Sequence, residues 1–172
     1  MKVAFLDRDG TINKSYWKPS GPKGSPEYWR GSEIPELLDG TLEGMRHLRA
    51  QGYEIIIITN QYPIGEGQIT QEFYDSFMKK LLSMLREGGV EVKDVFFCPH
   101  RRDAGCSCCK PRPGMIQAAL QKYPDIEMDK SFFAGDSEAD AGIAAACHLP
   151  FYGVNRDEGT RIASLGDLVR LI

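Results

Sequence analysis

Asp7 and Asp9 lie two residues apart behind a short apolar run, Val3 to Leu6, and are followed by Gly10 and Thr11. Residues i and i+2 of an extended chain share a side, so the two carboxylates face the same way. Oxygen ligands suit hard divalent cations; one carboxylate of such a pair can attack phosphorus while the other moves a proton. A solvated acidic turn is the alternative for an isolated Asp-x-Asp, and the strand in front and Gly-Thr behind weigh against it. A second group occupies residues 98–109: Cys98-Pro99-His100 and Cys106-Ser107-Cys108 are two ligand pairs joined by five residues. Thiolate and imidazole are zinc's ligand set, and a closed Cys3His site is structural because it leaves no position for water. Cys108 is preferred to Cys109 as the fourth ligand, since adjacent cysteines rarely fit one tetrahedral site. Free surface thiols are the bland reading of the same residues.

The elements that must position these groups alternate. Val3–Leu6, Tyr53–Thr59, Val95–Phe97, Ser131–Ala134 and Pro150–Val154 read as buried strands. Between them fall helical patterns: Leu38, Leu42, Met45 and Leu48, with Asp39 as cap and Gly52 as stop; Phe73, Phe77, Leu81 and Leu85, capped by Thr70 and closed by Gly88-Gly89; a helix opened by Pro113 and running to Leu120; and Ala139 to Cys147. A last helix is expected near Leu165–Ile172. Alternation with right-handed crossovers gives an α/β fold, a doubly wound, mostly parallel sheet with helices on both faces. Ligands of such sheets sit outside the carboxyl ends of the strands, where Asp7, Thr59 and Asp136 converge.

The chain has 172 residues, which amounts to a single domain, 1–172. A net charge of -3 argues against a general nucleic-acid binder, and no apolar run approaches the ~20 residues that span a bilayer. Acidic residues close behind the N-terminus do not fit a signal peptide. Five cysteines, four of them crowded between 98 and 109, suit a metal in a reducing cytoplasm better than a disulfide framework.

Taken in order, Asp7-Arg8-Asp9-Gly10-Thr11-Ile12-Asn13, Thr59-Asn60-Gln61, Lys110-Pro111 and Gly135-Asp136-Ser137-Glu138-Ala139-Asp140 resemble the motifs of the haloacid dehalogenase-like superfamily. The nearest branch holds the heptose bisphosphate phosphatases and the phosphatase domain of histidinol-phosphate phosphatase, whose zinc loop is similar to residues 98–108. The resemblance implies a Rossmann-like sheet without a large cap domain, and assigns roles. Asp7 would be the nucleophile that forms an aspartyl-phosphate, and Asp9 the proton donor and then base. Mg²⁺ would be held by Asp7, the Asp9 carbonyl and Asp136. Thr59 and Lys110 would hold the phosphoryl oxygens, and Asn13, Asn60, Gln61 and position 109 would line the substrate. Asp140 would orient Lys110 or the metal shell, or simply cap the helix it begins. The implied substrate is a small phosphorylated metabolite, foremost the 7-phosphate of a heptose 1,7-bisphosphate, with histidinol phosphate or another sugar phosphate as the alternative. The implied enzyme is a monomer with no nucleic-acid or membrane partner.

Two features depart from that pattern. Cys109 stands where the family often has an arginine for the substrate's phosphate, and a thiol cannot make that bidentate contact. Residues 14–35 form a long segment rich in Pro and aromatics, containing Tyr16, Trp17, Tyr28 and Trp29. It is either a wall against the substrate, with Lys14, Lys18, Lys23 or Arg30 taking a second phosphate, or a decorated surface loop. A receiver-like module that accepts a phosphoryl group without turnover is the competing class, and Asp9 is what such a slow switch would not need. Gly65-Glu66-Gly67 lacks the third glycine of a dinucleotide loop, and His47 and His148 read as structural.

Overall fold

A computed structural model of the chain describes residues 1–14 and 34–172. The core elements are the strands β1 (Val3–Leu6), β2 (Glu54–Asn60), β3 (Asp94–Cys98), β4 (Phe132–Gly135), β5 (Phe151–Val154) and β6 (Thr160–Ile162). Around them lie the helices α1 (Thr41–Ala50), α2 (Tyr62–Gly65), α3 (Gln71–Glu87), α4 (Gly114–Lys122), α5 (Glu138–Ala146) and α6 (Leu168–Leu171). All strand pairs are parallel, in the order β3-β2-β1-β4-β5-β6.

The central strands are apolar throughout because both faces of a parallel sheet are covered. Alternation along each strand then divides the core in two. Ala4, Leu6, Ile55, Ile57, Phe132 and Ala134 pack against α1, α3 and α6; Val3, Phe5, Ile56, Ile58 and Phe133 pack against α4 and α5. The chain thus winds outward from β1 to β3 beneath one layer of helices, then crosses back to β4 and winds outward on the other side. The reversal falls between β1 and β4, which are hydrogen-bonded neighbours, and in open α/β sheets that is where a crevice opens for ligand.

Several local expectations shift. Asp39 does not cap α1; Gly40 precedes it at φ 77° without a side-chain cap, and Thr41 Oγ1 donates to the Ile12 carbonyl at 3.0 Å instead. Thr70 does cap α3, accepting from the Phe73 N–H, but the buried stripe is Tyr74, Phe77, Met78, Leu81 and Leu85, with Phe73 only half-buried. Ser131 stays outside β4, where its hydroxyl accepts from Val3 N–H at 2.9 Å and donates to the Glu127 carbonyl at 2.7 Å. The last helix is a 3-10 turn, Leu165–Asp167, followed by the single turn of α6. Two elements carry no sequence signal. α2 has only four residues, and β6 has three, joined to its parallel neighbour by residues 155–159 rather than by the dozen or more a crossover usually needs. No helix among the described residues is long and apolar enough to cross a membrane.

Candidate active site

The site grows from the end of β1. Asp7 N–H donates to the Ala134 carbonyl at 2.9 Å, continuing the β1–β4 ladder, so its side chain emerges at the reversal point. Lys110, remote in sequence, reaches it from the loop before α4. Its Nζ donates to Asp7 Oδ1 at 2.6 Å, to Asp140 Oδ1 at 2.6 Å and to the Ile58 carbonyl at 2.9 Å, which uses all three ammonium protons. Asn60, at the end of β2, holds the lysine's backbone from both sides. Lys110 N–H donates to Asn60 Oδ1 at 2.9 Å, and Asn60 Nδ2 donates to the Lys110 carbonyl at 3.2 Å.

Asp136 follows β4 and lies against Gly10. Gly10 has φ 85°, and a Cβ there would sit 2.0 Å from Asp136 Oδ2, so the position demands glycine for its backbone and for its missing side chain. Asp7, Asp136 and Asp140 each bring a carboxylate oxygen within 4.8 Å of the others. Asp140 has no oxygen to spare. Its Oδ1 takes Lys110, and its Oδ2 accepts from Ser137 N–H at 3.0 Å and Ser137 Oγ at 2.6 Å within the capping box of α5. It therefore both orients Lys110 and caps the helix, and Asp7 and Asp136 are left as the open pair.

Among the described residues, one ammonium for three carboxylates leaves negative charge in excess at a buried place. Burial, and next the Asp140 charge, raise Asp7 well above the carboxylate range against the pull of Lys110. The same two causes push Asp136 up to about 6. Burial works against the Lys110 ammonium, but Asp140 and Asp7 carry it above its ordinary value. Hard oxygen donors gathered this closely, with net negative charge, fit a magnesium-sized ion.

Asp9 is held differently. Arg8 Nε donates to its Oδ1 at 3.1 Å and Arg8 Nη2 to its Oδ2 at 2.7 Å. Asn13 Nδ2 adds a bond to Oδ1 at 3.0 Å, and Gln61 Nε2 one to Oδ2 at 3.1 Å. The same Gln61 nitrogen lies 2.9 Å from Thr59 Oγ1, tying the buried threonine to Asp9. Asn13, Asn60 and Gln61, expected to line the substrate, are thus committed to supporting Asp9, Lys110 and Thr59, and Asn13 is wholly buried. Arg8 carries only one signal in the sequence, a charged residue set between two aspartates at the mouth of an apolar strand.

The cysteine loop stands beside this floor, just past the end of β3. Sγ of Cys98 lies 3.1 Å from Cys108, 3.6 Å from Cys106 and 3.5 Å from His100 Nδ1, and His100 Nδ1 lies 3.1 Å from Cys108 Sγ. All five cysteines are free. Burial raises the Cys98 thiol, so holding it as thiolate needs a cation, and the sulfur and imidazole donors fit zinc. Cys109 lies outside the group. It is half-buried against the α4/α5 layer, its Sγ 3.6 Å from the Lys110 carbonyl. α2 docks on the loop at Gly65, where a Cβ would come within 2.6 Å of the Pro99 carbonyl and the Arg101 nitrogen. Arg102 stacks 3.9 Å over the Tyr62 ring and pairs with Glu66 at 3.3 Å.

Tyr16, Trp17, Lys18, Lys23, Tyr28, Trp29 and Arg30 lie outside the described residues. Their segment departs and returns beside Asp9, since Lys14 N–H donates to the Glu36 carbonyl at 2.8 Å and Asn13 bridges Leu37. Lys14 itself pairs with Glu36.

Comparison with known proteins follows the same line. The family model described as polynucleotide kinase 3 phosphatase matches residues 2–152. The D-glycero-alpha-D-manno-heptose-1,7-bisphosphate 7-phosphatase of Photorhabdus laumondii is 36% identical over 157 residues, covering 87% of this chain and 80% of its own. The corresponding beta-anomer phosphatase of Pseudomonas putida is 31% identical over 166 residues, 96% of this chain and 89% of its own. Among solved structures, the D,D-heptose 1,7-bisphosphate phosphatase of B. bronchiseptica, complexed with magnesium and phosphate, superposes with a TM-score of 0.80. It is 25% identical, and the match covers 99% of this chain and 97% of that one.

Proposed function

The chain belongs to the haloacid dehalogenase-like phosphatases, in the family described as polynucleotide kinase 3 phosphatase, and from that premise we propose that it removes the 7-phosphate of D-glycero-D-manno-heptose 1,7-bisphosphate through an aspartyl-phosphate on Asp7. The observation that carries the chemistry is the three-way hold on Lys110, which aims Asp7 at the mouth of the β1–β4 crevice with Asp136 beside it. Asp7 and Asp136, with the backbone carbonyl of Asp9, are the residues to hold magnesium, which when bound offsets the repulsion between carboxylate and phosphate.

In the first step a carboxylate oxygen of Asp7 bonds to phosphorus and the bond to the sugar oxygen breaks. Asp9 gives that oxygen its proton, so the sugar leaves as an alcohol. In the second step water attacks the phosphorus, Asp9 takes a proton from it, and the bond to Asp7 breaks to release phosphate. On this reading Lys110 exchanges its bond to Asp7 for the phosphoryl group, and with the Thr59 hydroxyl it receives the phosphoryl oxygens, whose charge spreads in the transition state. Splitting one displacement into two easier ones is the gain of the covalent route. Cys98, His100, Cys106 and Cys108 are the residues that would hold a zinc ion, which with four protein ligands would be structural and would fix the loop leading into Lys110. The substrate reading is supported by what the curated relatives are named to hydrolyse. Since position 109 offers no cation, the distal phosphate must be met by another residue.

The test is magnesium-dependent phosphate release from the heptose 1,7-bisphosphate and from histidinol phosphate, compared as kcat/KM. A strong preference for the bisphosphate is expected, and in Asp7→Asn a loss of at least about 10³-fold with the fold intact by circular dichroism. Substantial turnover by Asp7→Asn overturns the nucleophile, and equal or poor rates on both compounds overturn the substrate.

A further inference from the structure

Arg8 is a buried charge in the site's floor. Its side chain is 4% exposed, although the pocket around it is apolar: Phe77 and Tyr74 rings lie 5.0 and 5.6 Å from its guanidinium carbon, and Met78 Sδ is 3.3 Å from Nη1. An aliphatic side chain would fill such a pocket without the penalty of desolvating a charge. The guanidinium also points away from the crevice, into the α3 layer, so it is not aimed at a phosphate. What it does reach is Asp9, with Nε on one carboxylate oxygen and Nη2 on the other.

That fork matters because of what Asp9 must do. An aspartate free to rotate about two side-chain torsions presents its proton in many directions, whereas transfer requires the acid within about 2.6–3.2 Å of the accepting oxygen. Two parallel N–H bonds from a planar guanidinium fix the plane of the carboxylate as a single ammonium cannot. Asn13 and Gln61 donate to the same two oxygens and hold it from the other side. We propose that Arg8 is a positioning residue for the reaction, its buried guanidinium fixing the plane and reach of Asp9 so that protonation of the leaving oxygen depends on a side chain that never meets the substrate. This rests on the reading of Asp9 as the acid and base. As Asp9 gives up its proton and the bond from phosphorus to the sugar oxygen breaks, Arg8 receives the carboxylate that remains with a donor on each oxygen.

The experiment compares two leaving groups in the same protein preparation. An alkyl phosphomonoester (the heptose bisphosphate or histidinol phosphate) needs its leaving oxygen protonated; p-nitrophenyl phosphate does not. In Arg8→Met, kcat/KM for the alkyl ester is expected to fall roughly 10²-fold, through kcat rather than KM, while that for the aryl ester falls less than about 5-fold. The ratio of the two is independent of how much of the variant is folded. Arg8→Lys, which keeps the charge and loses the fork, should recover only a minor part, and it carries the test if the methionine variant is insoluble. Asp9→Asn supplies the reference, and in its background Arg8→Met should add little. Equal losses on both esters in the Arg8 variants, beside a selective loss in Asp9→Asn, overturn the positioning role. Equal losses in Asp9→Asn itself overturn the acid-base reading on which it rests.

Discussion

The carboxylate floor and the cysteine loop are neighbours built on opposite principles. The floor gathers residues from across the chain: Lys110 meets Asp7 from 103 residues away and Asp140 from 30. Its members are buried, and they are held by the sheet, by the Asn60 clamp and by the cap of α5. The four ligands of the loop fall within eleven consecutive residues. Cys98 is buried in the core on the α4/α5 side, Cys106 and Cys108 are half-buried against it and His100 is exposed, and the four are linked to one another by sulfur and imidazole contacts. The floor is therefore a product of the fold, and the loop depends on what its ligands bind. Damage to the first should reach both chemistry and stability, whereas damage to the second should spare the sheet.

Lys110→Met is the strongest challenge to that contrast. It removes the one cation that, among the described residues, pairs with Asp7 and Asp140, so activity should fall by roughly 10³-fold and unfolding free energy by about 3 kcal/mol. The remaining carboxylates sharpen this through pH. Asp7 is raised in the folded chain and Asp136 stands at about 6, above the ~3.9 of an unfolded aspartate. In the metal-free protein the folded state accordingly binds more protons over that window. Stability should decline as pH rises from about 4 through 6, more steeply in Lys110→Met than in the parent. Urea melts across pH with a chelator present would measure it, and a flat profile would mean the floor does not feel its own charge.

Stripping the loop should do less. Cys106→Ser, or a zinc chelator, is expected to reduce bound zinc from about one per chain to near none and to lower kcat/KM about 10-fold, by loosening the approach to Lys110. Far-ultraviolet circular dichroism should keep the signal of the intact sheet. Loss of the whole fold with the metal would show that the loop is not separable from the floor.

The smallest expected effect is at position 109. Cys109→Arg places a guanidinium ahead of Lys110, yet the native thiol turns toward the core. Stability should change by no more than about 1 kcal/mol, and the preference for bisphosphate over monophosphate esters should rise severalfold if the arginine swings outward. An unchanged ratio would place the distal phosphate's partner elsewhere.

Much of this architecture is legible in the sequence. Val3–Leu6 and Glu54–Asn60 announce themselves because burial on both faces leaves continuous apolar runs, and Thr70 announces α3 because its hydroxyl caps within three residues. The Cys98–Cys108 cluster is legible for the same reason, its ligands being close enough along the chain for spacing to imply geometry. α2 and β6 are too short to carry periodicity, and β6 owes its existence to the open edge of β5.

The residue types and spacings alone thus determined the alternation of strand and helix that makes a parallel sheet, the paired aspartates behind its first strand and the clustering of Cys98, His100, Cys106 and Cys108, all of which are written in local pattern. Tertiary structure alone decided what each polar side chain serves. Asn60 clamps Lys110, Gln61 joins Thr59 to Asp9, Asp140 divides itself between a lysine and a helix cap, Arg8 turns inward to Asp9, and Cys109 turns from the crevice. A hydrogen-bonding group buried in the sheet must find a partner or pay its desolvation in full, and strand order, which no local pattern encodes, determines which partners lie within reach.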